Sequence, residues 1–377
     1  MLTVHPSIIL GSYLWDEERL PRDEFDIRMG AIREAMAERG WAGVLLYGDA
    51  REHGSLAWFT NFIPRMRWAM ALIPAKGEPR LLASMSSRDI PAMRTMTWVP
   101  DVKTGWEWRW FDEWLATLGE GGTLGAIGLD LMTPLLFGSV EKSLGDRFRL
   151  EPGDDIVEAA RATHRPREIA ILREAADIAR AAAAALREAW ERGDDIETAA
   201  LAGERMARQR AVHDVRTLVS RDGGRTFEPY AARFEDRPQH LLAYVAVKYL
   251  GCWADAYVES GAPQSLRGPV KAALDGLIAG MQAGAPVAGL AQAAQAQLGA
   301  PLHPALTGLF GRRIGLSLSE GGEIGAGREG LVQANTVYAL QAGVLDPAQG
   351  GGIASALVLT RMQGEPEVLL RSDEVSK

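Results

Sequence analysis

This chain is poor in cysteine, in basic clusters and in long apolar runs, and each shortage excludes something. Its one cysteine, Cys252, rules out an intrachain disulfide framework and suits a reducing cytoplasm. The net charge is −8 and no basic run stands out, so neither nucleic acid nor an anionic membrane surface is expected as a partner. The longest apolar stretches, such as Ala181–Leu186, fall far short of the roughly 20 residues that span a bilayer. The start, MLTVHPSIILGSYLWDEERL, has no charged segment followed by an apolar run of about 7–15 residues, so no signal peptide is expected. Aromatics make up only 7 %, yet eleven residues are Trp, most of them before residue 115. With 377 residues and 47 % hydrophobic content, the chain can bury two cores.

The order of elements reads as α/β (α+β). EFDIRMGAIREAMAERG (24–40) has helical apolar spacing and a stop at Gly40. WAGVLLYGD, SLAWFTNF, RWAMALIPAKG, LLASM and LGAIGLDL read as strands, and WFDEWLATLG as a short helix, giving a mixed or parallel sheet. A boundary is expected at 150–167, dividing the chain into domains 1–160 and 161–377. Pro166 then opens the strongest helical segment, and a second helix starts at Asp194 or Asp195. The strand pair in LAYVAVKYLGCWADAYVES, the helix in QSLRGPVKAALDGLIAGMQAG and the strands TVYALQAGV and SALVLTRM follow. Gly350–Gly352 between the last two lacks a following helix and Lys, and reads as a flexible turn, not a phosphate loop.

Several local motifs in this order resemble one family. PREIAILREAADIAR and GDDIETAALAGERMARQRAV resemble its paired helices. Gly251-Cys252-Trp253-Ala254-Asp255 resembles a Gly-Tyr-Trp-Ser-Asp strand, Arg312-Arg313-Ile314-Gly315-Leu316 sits where the family has His-Gly-Ile-Gly-Leu, and NTVYALQAGV where it has an Ile-Glu-Pro-Gly strand. Upstream, AREHGSLAWFTNFIPRMRWAMALIP resembles a family stretch with Arg-Glu-His and Pro-Arg. The chain thus resembles the creatinase/prolidase/aminopeptidase P family. That resemblance implies a creatinase-type N-terminal domain followed by a C-terminal pita-bread domain, a homodimer, and in most members a hydrolase with two divalent metals.

Five carboxylate and histidine ligands hold those metals in the family, because a bridged metal pair makes hydroxide near neutral pH and polarises the scissile carbonyl. Position by position, the first Asp falls at Tyr244 (Ala246 or Lys248 if the strand turn is shorter), and the second is kept as Asp255. The His becomes Arg312, the first Glu Gln341 and the last Glu Ala354. One ligand of five remains. A guanidinium has no lone pair for a metal and carries charge of the wrong sign. No metal or other cofactor is therefore expected. Creatinase works without metal through a His and Glu residues, but the corresponding segment here, GRTFEPYAARFEDR, has Glu228 and Tyr230 and no His.

Asp255 is then a candidate general base or anchor, or a structural ion-pair partner of Arg312 or Arg313. Adjacent residues of a strand point to opposite faces, so only one Arg enters the pocket, and the family match makes it Arg312. Its planar fork suits a carboxylate or phosphate, or it replaces metal charge. Glu320, Gln341, Tyr244 and Tyr230 are candidate acid–base or hydrogen-bonding groups, with rim or turn roles as the alternative. In creatinase-like dimers an N-domain Arg reaches the partner's site and holds substrate carboxylate. That implies the role for Arg65, with Arg67 beside it, or else these form an exposed basic turn. Trp106–Trp114 reads as packing in preference to a ligand rim. The leading expectation is a cytoplasmic, metal-independent hydrolase or lyase acting at a C–N bond of a small carboxylate-bearing substrate. A non-catalytic binding module and a metal-dependent Xaa-Pro peptidase are the alternatives.

Overall fold

The computed structural model describes residues 13–230 and 238–374. The N-terminal stretch read for a signal peptide lies partly outside them, as does the 231–237 part of GRTFEPYAARFEDR. The chain divides into two compact units, 1–162 and 163–377. Among the described residues no helix is long and apolar enough to cross a membrane.

The first unit is built on a six-stranded mixed sheet in the order β4-β3-β2-β1-β5-β6. Its strands are β1 (Trp41–Asp49), β2 (Trp68–Pro74), β3 (Arg80–Ala83), β4 (Asp101–Thr104), β5 (Gly122–Ile127) and β6 (Phe148–Pro152). Helix Arg22–Arg39 ends at Gly40, whose φ of 67° is left-handed and whose N–H closes on Ala37 and Met36. Leu45, Tyr47, Met70 and Leu72 of the sheet pack with Phe111, Trp114 and Leu144 of two helices into one buried cluster. The Trp-rich run accordingly contributes packing at Trp108, Trp110 and Trp114, whereas Trp106 is 57 % exposed.

SLAWFTNF is not a strand. Gly54–Thr60 forms a helix, with Asn61 left-handed behind it and the Thr60 hydroxyl donating to the Leu56 carbonyl at 2.7 Å. Every residue from Leu56 to Thr60 is buried, and an apolar run buried all round carries no period that separates helix from strand. LGAIGLDL is a strand only to Ile127, after which Leu129–Leu131 make a 3₁₀ turn.

The second unit opens with a helix pair, Pro166–Glu191 and Ile196–Gln209. Pro166 stands at the first helical position, where no N–H is needed, and the Glu168 carboxylate accepts from Arg165 N at 2.8 Å. Asp195 caps the second helix by accepting from Thr198 N at 2.7 Å. The pair packs closely because its contact face is Ala and Gly. A Cβ on Gly203 would stand 2.9 Å from the Ala182 carbonyl oxygen and 3.2 Å from Leu186 Cβ.

Two antiparallel sheets complete this unit, in the orders β10-β9-β7-β8 and β12-β11-β13-β14-β15. The first holds β7 (Asp214–Val219), β8 (Glu228–Pro229), β9 (Leu241–Tyr249) and β10 (Cys252–Ser260). The second holds β11 (Leu309–Arg313), β12 (Ile324–Gly325), β13 (Val337–Asp346), β14 (Gly350–Leu359) and β15 (Glu367–Arg371). β9 and β10 form a hairpin with Tyr249 opposite Cys252, so Leu250 and Gly251 make the turn, both at positive φ. Helices Gln264–Gly280 and Val287–Leu298 cover the second sheet through Val270, Leu274, Leu277 and Ala291 against Tyr338, Leu340 and Val358. Gly350–Gly352 is strand and not a turn: it pairs with Asp346, Leu345 and Val344. A Cβ on Gly351 would meet the buried His303 ring at 2.8 Å, so these glycines serve close packing.

Gly203→Ala should therefore destabilise the second unit by about 1–2 kcal/mol through overpacking. At Gly289, with nothing within 4 Å of its would-be Cβ, the same change should gain up to ~1 kcal/mol from helix propensity. Urea midpoints of the two variants test the contrast, and a gain at both would show that the helices can separate.

Candidate functional site

Strand register builds the site. Tyr244 pairs with Tyr257, and Ala246 with Asp255, so these four share one face of β9–β10 with Trp253 and Lys248. In the other sheet Arg312 pairs with Ala339, and Gln341 with Ser355, which puts all four on one face. The segment after β11 is tied to β10 where Trp253 N donates to the Gly315 carbonyl at 2.7 Å, and this brings Arg312 onto Asp255.

Arg312 Nη2 donates to Asp255 Oδ2 at 2.5 Å, the Tyr244 hydroxyl donates to the same oxygen at 2.8 Å, and Arg312 Nε donates to the Leu318 carbonyl at 2.9 Å. Asp255 is 5 % exposed. Arg313, on the opposite face, donates to the Glu320 carbonyl at 2.6 Å. The Tyr257 ring lies 5.0 Å from that of Tyr244, and its backbone N donates to Ser355 Oγ at 2.9 Å. Trp253 carries Arg216 at 4.7 Å and Lys248 at 5.2 Å from its ring.

Electrostatics fix the protonation of these groups. Burial pushes the Tyr244 phenol well above its ordinary value, with the Asp255 charge adding to the shift and Arg312 opposing it. Burial likewise pushes Tyr257 up to about 12, with the same two neighbours in the same senses. Burial works against the Arg312 cation, but Asp255 and the phenols hold its pKa above the ordinary value. The cluster thus presents one anion, one cation and two neutral phenols.

Of the residues singled out in the sequence, Asp255, Arg312 and Tyr244 are bonded together. Gln341 lies on the same sheet face as Arg312, and its amide donates to the Leu309 carbonyl at 2.9 Å. Glu320 turns back on its own loop, accepting from Ser317 N at 3.0 Å. Tyr230 bonds to Glu204 on helix Ile196–Gln209, an attachment that does not involve Asp255. Arg65 and Arg67 belong to the first unit, both exposed, with Arg67 stacked on Trp106 at 4.7 Å. Ser355, not Ala354, stands opposite Gln341, whereas Ala354 faces the helix-covered core with Ala342. Tyr257 and Ser355 were missed, although period-2 alternation from Asp255 and Gln341 points to both.

The family resemblance implies two divalent ions here, and the residues present do not fit them. Asp255 Oδ2 already accepts from a guanidinium and a phenol. The other four matched positions offer a neutral phenol, an Arg, an amide used as donor to a backbone carbonyl, and an Ala, and the neighbouring Ser355 hydroxyl accepts from a backbone N–H. Among the described residues no group of three His, Cys, Asp or Glu side chains is arranged to hold a metal.

Residues 28–163 match the model of the creatinase/prolidase N-terminal domain family. No curated protein matches the sequence. Among solved structures the chain is similar to an X-Pro aminopeptidase from Thermotoga maritima (18 % identity, TM-score 0.75, 90 % of this chain and 96 % of that one). It is also similar to a Xaa-Pro dipeptidase from Bacillus anthracis (16 %, 0.74, 94 % and 99 %) and a prolidase from Pyrococcus horikoshii (16 %, 0.73, 90 % and 97 %). The first unit thus carries a creatinase/prolidase N-terminal domain, and the chain shares the two-domain fold of these structures over nine-tenths of its length.

Proposed function

We propose that the chain works without divalent metal, as an enzyme acting at a C–N bond of a small carboxylate-bearing substrate by hydrolysis, elimination or rearrangement. The observation that supports the metal-free part is the 2.5 Å contact between Arg312 and Asp255, a permanent cation bonded to the one carboxylate kept among the family's ligand positions. The residues that share the faces of Asp255 and Arg312 include Tyr244, Tyr257, Gln341 and Ser355, and these polar groups support a working site over aliphatic packing. Neutral phenols beside a guanidinium suit the binding and polarisation of an oxygen anion. Asp255 is bonded on one oxygen to both Arg312 and Tyr244, which makes it an orienting group for them before it is a base.

That double use also supports a second reading, a ligand-binding module without turnover. Arg65 of a second copy, holding substrate carboxylate in a homodimer, belongs to the enzyme reading and is proposed with it.

Purified protein dialysed against Mn²⁺, Co²⁺ or Zn²⁺ should retain well under one ion per chain by elemental analysis, and should hydrolyse no Xaa-Pro dipeptide. Stoichiometric metal with dipeptidase activity would overturn the proposal. Turnover of N-substituted amino acids in EDTA, lost at least ~100-fold in Asp255→Asn, supports the enzyme. Saturable binding of such compounds with no turnover supports the module.

The ion pair itself makes a stability prediction. Arg312→Met leaves a buried carboxylate unpaired and should cost about 3–5 kcal/mol, whereas Arg312→Met with Asp255→Leu should restore most of that loss. Equal losses in single and double variants, read from urea unfolding, would show that the pair is not the structural replacement described.

A further inference from the structure

Away from Asp255, the second unit has a cavity of about 160 Å³ that the proposed function does not use. It lies where helix Pro166–Glu191, the end of β10, the start of helix Gln264–Gly280 and the 3₁₀ turn Ser372–Glu374 converge. Its charged lining is Arg187, Glu191, Glu259, Arg267 and Asp373. Since a cavity of ~10–15 Å³ already holds a water, this one has ample room for a molecule the size of glycine.

Arg187 is the unusual member. It is 7 % exposed, its Nη2 donates to the Ser372 carbonyl at 2.6 Å, and its Nε is buried with no partner. Burial depresses its pKa, against the pull of Glu259, Glu191 and Asp373, yet an Arg stays charged at any working pH. Among the described residues it makes no ion pair, and neither do Glu191, Glu259 or Arg267. Glu191 accepts from Ser260 Oγ, Glu259 accepts from Ala262 N, and Asp373 is held by Arg371. A buried guanidinium with an unsatisfied N–H, whose neighbouring carboxylates act on it without bonding to it, is costly unless an acceptor joins it directly. A simple anion there would face three carboxylates, whereas a ligand with both charges satisfies floor and walls together.

We infer that this cavity is a binding site for a small zwitterion, its carboxylate on Arg187 and its ammonium group toward Glu259 and Glu191. The site is independent of the chemistry proposed at Asp255 and stands whether or not that proposal does.

Ligand-observed NMR and thermal-shift titrations of the full chain with glycine, β-alanine, acetate, methylammonium and inorganic phosphate at constant ionic strength test it. One of the two zwitterions should bind saturably and at least ~10-fold more tightly than acetate, methylammonium or phosphate. Arg187→Gln should weaken that binding at least ~10-fold. Glu259→Gln, a more exposed change that keeps the assay informative if Arg187→Gln fails to fold, should weaken it several-fold. Asp255→Asn should leave it unchanged, which locates the ligand. Equal binding of phosphate or acetate, no saturable binding of either zwitterion, or loss in Asp255→Asn without loss in Glu259→Gln would overturn the inference.

Discussion

A guanidinium locked to a carboxylate in the interior of the second unit sets the terms for everything around it. Two opposite charges removed from water must satisfy each other and use their remaining hydrogen-bonding capacity. Asp255 and Arg312 do so with the Tyr244 hydroxyl and the Leu318 carbonyl. The same bonds join one sheet to the other, since Asp255 stands on β10 and Arg312 on β11. Side chains thus cross-link the two sheets of this unit.

Much of this was legible in the sequence because the signals are local. Gly40, Pro166 and Asp195 act through their own backbone geometry or a cap three residues away, and each stands where that local chemistry places it. The Asp255 strand and the Arg312 motif were legible through the spacing of a family pattern. Features that depend on packing were not. The helix Gly54–Thr60 is buried on every side and has no polar face to reveal its period. The glycines at the start of β14 look like a turn in composition, and only their closeness to His303 and Gly223 shows why a strand needs them. That Ser355 and not Ala354 stands opposite Gln341 is a matter of pairing across a hairpin, where a shift by a single residue turns a side chain to the other face of the sheet. The cavity at Arg187 gathers residues from four distant stretches of chain, and its meaning lies in which charges fail to meet.

The two charged sites of the second unit solve opposite problems. At Asp255 the charges meet directly and leave little demand for a further ion. At Arg187 the carboxylates line the same cavity without forming an ion pair with it, and its Nε keeps no partner. The contrast comes from geometry and not from composition, since both sites combine Arg with acidic residues. It also follows that the overall acidity of the chain says little about what either site attracts.

The protonation pattern described for the phenols and the guanidinium has a kinetic corollary. Tyr244, Tyr257 and Arg312 all ionise far above neutrality, so none of the three changes charge between mildly acidic and mildly alkaline solution. A bell-shaped rate profile centred near neutrality would owe neither of its limbs to them. It would report a proton carried by the bound molecule or by some other residue, and the flat part of such a profile would be the signature of the cluster itself.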